Sequence, residues 1–66
     1  NPAWKAAWKA EIYNGRANNL LSRYARTDPS EGLAEFGRHL AQHGHDETRR
    51  KYPRCYAFLA KQGLMT

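Results

Sequence analysis

Sixty-six residues allow one small domain, and a chain of that length buries only a modest share of its surface. Eleven Lys and Arg against six Asp and Glu leave a net charge of +5, which favours anionic partners and is silent on fold. The single cysteine excludes an internal disulfide scaffold, and no apolar run approaches the roughly 20 residues of a spanning helix.

With no signal peptide or membrane segment, the expected setting is cytoplasmic and no membrane partner is expected. Starting at Asn1, the chain reads as a segment of a larger protein, whose other domains are then further partners. Alanine occurs ten times and leucine six, whereas valine is absent and isoleucine occurs once. Strands draw on β-branched side chains. The expected fold is therefore all-α, a compact bundle of three or four helices spanning residues 1–66.

Asn1-Pro2 opens the first helix with a capping residue and a proline at the first helical position. Trp4, Trp8 and Ile12 then recur at a spacing of four and share one side. A second amphipathic stretch places Ala17, Leu20, Leu21, Tyr24 and Ala25 at helical offsets. Gly15 stands between the two. An unbroken helix would set the two stripes nearly opposite and align Lys5, Lys9, Arg16 and Arg23, whereas a break lets both stripes meet one core. The break is preferred.

Asp28-Pro29-Ser30-Glu31 is the clearest boundary, with a cap, a first-turn proline and a capping-box glutamate. Leu33, Phe36, Gly37 and Leu40 form the inward stripe of the helix that follows, and Gly44 ends it. Gly37 is expected to admit a close neighbouring helix, because a glycine there otherwise only weakens its own helix. Asp46 is the expected cap of the last segment. Pro53 either follows a short turn from Thr48 to Lys51 or kinks one helix running to Gln62. Tyr52, Cys55, Tyr56 and Leu59 share a face in both cases, with Gly63 as the stop.

Arg49-Arg50-Lys51-Tyr52-Pro53-Arg54 carries the functional signal. From Arg49 to Met65 there are five cations and no acidic residue, whereas an ordinary solvated face mixes both signs. Arginine's planar fork suits phosphate, and tyrosine offers a face on which a base can stack. The expected function is nucleic-acid binding, DNA ahead of RNA. Arg49, Arg50, Lys51, Arg54 and Lys61 would contact phosphates, Tyr52 would stack, and Lys5, Lys9, Arg16 and Arg23 would form a weaker second surface. A helix-turn-helix arrangement in the C-terminal half, turning at Gly44-His45-Asp46, is one way to deploy the segment.

The alternative is a protein-docking module of a larger assembly that uses the tryptophan helix as its hot spot. For Trp4 and Trp8 themselves, burial is the simpler expectation. His39, His43, His45 and Cys55 invite a zinc reading, but their spacing matches no established finger, and no metal or cofactor is expected. Ser22 and Ser30 lack a glycine-rich elbow, and Cys55 lies on the apolar face, so the segment is not expected to be an enzyme.

Overall fold

The computed structural model of the chain describes residues 1–15, 21 and 23–63. Arg16, Ala17, Leu20 and Ser22 lie outside the described residues. Four α-helices follow in order: α1 Pro2–Trp8, α2 Pro29–His43, α3 His45–Lys51 and α4 Pro53–Lys61. No strand occurs among the described residues.

Asn1 caps α1, its Oδ1 accepting from the backbone N–H of Ala3 at 2.9 Å and of Trp4 at 3.4 Å. The helix continues as a π-helical turn, Lys9–Tyr13, which Asn14 closes by donating to the Lys9 carbonyl at 3.1 Å. The wider turn brings side chains five apart together, and the Trp8 and Tyr13 ring centroids lie 5.3 Å apart. At Gly15, a side chain would collide with the carbonyl of Glu11. The break expected at this glycine is present.

The stretch after it departs from expectation. Among the described residues it holds a 3-10 turn, Arg23–Arg26, from which Tyr24 points outward at 67% exposure while Ala25 is fully buried. Tyr24 is thus not a core residue. The physical reason lies in what the turn must deliver: the Ala25 carbonyl accepts the Trp8 indole N–H at 2.7 Å. Two residues after the turn, Asp28 already starts α2, accepting from the N–H groups of Ser30 at 2.8 Å and Glu31 at 3.1 Å.

Both indoles are inside, as their size favours, and both have a partner for the polar edge. Trp4 is 3% and Trp8 7% exposed, and Trp4 donates to the Pro29 carbonyl at 2.7 Å. Gly32 makes the close approach. A Cβ there would occupy the position of the Trp8 indole edge, so only glycine lets α2 lie against it. The role expected of Gly37 belongs to Gly32, since a Cβ on Gly37 would meet open space.

Phe36 sits at the centre, 5.8 Å from Trp4 and 5.7 Å edge-on from Tyr52 by ring centroids. Ile12, Cys55 and Leu59 complete the buried core, with Leu21, Leu33, Leu40, Tyr56 and Phe58 partly buried against it.

Gly44, at φ 86°, both ends α2 and precedes α3. The linker is thus one residue, with His45 already helical, which is tighter than the three- to four-residue turn of a helix-turn-helix. Asp46 lies inside the first turn of α3 and does not cap it. At Pro53 the chain breaks instead of kinking one continuous helix, but the helix α3 precedes the break in place of a short turn from Thr48 to Lys51. Tyr52 leaves the helical region (φ −131°, ψ 66°), and proline begins α4. α4 ends at Lys61, and Gly63 takes φ 72°.

Tyr52 supplies no side-chain cap for α4. Glu11 does so from across the fold, accepting from the N–H of Arg54 at 2.7 Å and of Cys55 at 2.8 Å. With Glu11 at the start of α4 and Trp4 5.5 Å from Phe58, α1 and α4 run antiparallel.

Candidate nucleic-acid interface

The basic segment is divided by the break at Tyr52. Arg49, Arg50 and Lys51 close α3, whereas Arg54 and Lys61 project from α4. α3 also carries acids one turn earlier, and helical geometry sets residues three and four apart side by side. Arg49 Nη2 therefore meets Asp46 Oδ1 at 3.0 Å, and Lys51 Nζ meets Glu47 Oε1 at 3.2 Å. These pairs overturn the expectation of a wholly unopposed cationic segment. The acid-free window began at Arg49, one helical turn too late to include Asp46 and Glu47.

The pairs remain exchangeable. Arg49 and Asp46 side chains are 60% and 97% exposed, and exposed ion pairs of this kind contribute about 0–1 kcal/mol. Lys51, by hydrogen bond and charge, holds the Glu47 carboxyl below its ordinary pKa. Arg49 also lies over the Tyr56 ring, 5.8 Å from its centroid, and the Tyr56 hydroxyl is 2.9 Å from His45 Nδ1.

Arg50, Arg54 and Lys61 are exposed and form no ion pair among the described residues, although the Arg50 charge contributes to lowering the Glu47 pKa. Lys5, Lys9 and Arg23 are likewise exposed and in no ion pair among the described residues. Arg54 and Lys61 come together along one groove between α1 and α4, whereas Lys5 and Lys9 are exposed on α1 outside its lining. Arg16 lies outside the described residues.

Tyr52 cannot stack on a base. It is 1% exposed, with its ring edge-on to Phe36 and to His39, because the break at Pro53 turns it inward. The exposed aromatic beside cations is Tyr24, bracketed by Arg23 and Arg26. That Arg-Tyr-Ala-Arg signal was visible in the sequence, but the helical periodicity assigned Tyr24 to the core. The docking alternative loses its anchor in the same way: buried indoles with satisfied N–H groups are not presented to a partner.

The histidines and the cysteine do not converge. His39 and His43 stack with centroids 4.4 Å apart, while His45 turns to Tyr56. Cys55 is fully buried, and that burial, reinforced by the Glu11 charge, pushes its thiol far above the ordinary value. It stays protonated and inert. Among the described residues, no three His, Cys, Asp or Glu side chains form a metal-binding group. No described helix is long and apolar enough to cross a membrane.

His39 is 3% exposed, and among the described residues neither its Nε2 nor the buried Thr48 Oγ1 finds a hydrogen-bond partner. Burial first, then the charges of His43 and Lys51, lower the His39 pKa from 6.5, with Glu47 opposing.

No model of a known protein family matches the chain, and neither a curated protein nor a solved structure does.

Proposed function

We propose that this domain binds nucleic acid, with DNA as the first substrate to test, through phosphate contacts from α3 and α4. The observation that carries the reading is the trio Arg50, Arg54 and Lys61, exposed and in no ion pair among the described residues. Unneutralised cations on a chain of +5 attract polyphosphate at long range and gain affinity by releasing its counterions. Arg49 and Lys51 add to this once phosphate displaces Asp46 and Glu47. Lys5, Lys9 and Arg23 offer a second, weaker surface.

Phosphate contacts of this kind position a duplex without reading its sequence. An anisotropy titration of a short DNA at several salt concentrations is the test. Three phosphates engaged give a slope of log affinity against log salt of about −3, and recruitment of Arg49 and Lys51 steepens it towards about −4 to −5. Salt-independent binding, or none at low salt, rejects the proposal. Arg50→Glu combined with Arg54→Glu should abolish binding while helicity is unchanged.

A further inference from the structure

The groove between α1 and α4 is shallow and largely open to solvent, with a volume of about 330 Å³. Its floor is apolar: Ala3, Ala6 and Ala7 on one side, Ala57 and the half-buried Phe58 on the other. Arg54 and Lys61 rise from α4 along the same groove. Seven residues apart on a helix, they stand about 10.5 Å apart along its axis. The alanines are what keep the groove open, since longer side chains at those positions would fill it.

We infer that this groove seats an unpaired base of a single strand, with Phe58 as its aromatic contact and Arg54 and Lys61 on the neighbouring phosphates. The inference rests on the nucleic-acid reading and gives it a substrate class. A duplex presents phosphate and sugar on its outside, so an apolar floor between two cations adds nothing to duplex binding. An unpaired base has an exposed flat face that such a floor desolvates, and base–aromatic contact tolerates any sequence. Tyr52 is buried, so Phe58 takes the stacking role that the sequence suggested for that tyrosine.

Single-stranded oligothymidylate carrying one 2-aminopurine, the matching duplex, and an abasic single strand of equal length serve as probes at one salt concentration. The base-containing single strand should bind several-fold more tightly than either of the others, with a change in 2-aminopurine fluorescence. Phe58→Ala should remove that preference and leave duplex affinity unchanged. Because Phe58 touches Trp4, Ala6→Glu provides a second variant: the exposed site tolerates the change, and the carboxylate blocks the groove. Equal affinity for single strand, duplex and abasic strand overturns the base pocket while the phosphate reading survives. So does an unchanged preference in both variants. Occupation of the groove by an acidic amphipathic peptide, with no response to the single strand, assigns it to a protein and also overturns the inference. Absence of binding to every probe at low salt removes both readings together.

Discussion

The α1–α2 side of this domain and its α3–α4 side are held by different physics. On the first, two indoles are buried and each donates its N–H to a backbone carbonyl, at Pro29 and at Ala25. A glycine at position 32 lets the helix close over one of them. On the second, Tyr52, Cys55 and Leu59 are buried, but the links along α3 itself are exposed ion pairs, and the buried Thr48 Oγ1 has no hydrogen-bond partner among the described residues. Satisfied burial confers stability, whereas exchangeable surface charge leaves groups free to meet a ligand. The difference teaches where the domain concentrates its stability and where it keeps charge available.

Breaking the indole side should cost most. Trp8→Ala removes a buried ring and its hydrogen bond, a loss of about 3–5 kcal/mol. A 66-residue domain has about 3–10 kcal/mol in total, so thermal melts followed by circular dichroism should show it largely or wholly unfolded. Glu11 ties the two sides together. Glu11→Ala strips the cap from α4 and should lower stability by about 1 kcal/mol, with Glu11→Gln retaining part of it because an acceptor oxygen remains. Chemical denaturation of the three proteins measures the order.

A pH titration sharpens the comparison from the other side. His39 takes up a proton in the unfolded chain near pH 6.5 and resists it in the fold. Its contribution is full above that pH and is lost as pH falls through the lowered folded value. Melting temperature should therefore drop between pH 7.5 and 5, and His39→Leu should flatten the profile. A wild-type profile as flat as that of the variant would contradict the assignment. The smallest effect belongs to the ion pairs. Asp46→Asn frees Arg49 and should leave the melting temperature unchanged while strengthening DNA binding severalfold at low salt.

Much of the architecture was legible in local patterns. The cap at Asn1, the boundary at Asp28-Pro29, the stop at Gly44 and the break before Pro53 are each decided by backbone chemistry within a few residues. The inward face of Trp4, Trp8 and Ile12 followed from periodicity alone. Periodicity misled at Tyr24, which a 3-10 turn points outward, and at Gly37, where the close approach belongs to Gly32. For the candidate site, the cations were legible and their neighbours were not. Asp46 and Glu47 were missed because they precede the basic run, although one helical turn returns them to its side.

The sequence by itself determined an all-helical chain with a positive excess and large aromatics available for a core. Those properties reside in composition and in spacings of three and four. The tertiary structure alone decided that Glu11 caps α4 from 43 residues away, that Tyr52 turns inward, and that Arg54 and Lys61 share a groove floored by alanines. The first and last depend on α1 and α4, distant in sequence, lying antiparallel, and the second on Phe36 and His39 of α2 receiving the Tyr52 ring. No local rule encodes that, because the free energy that sets it is released only when the indoles, Phe36 and Gly32 pack together.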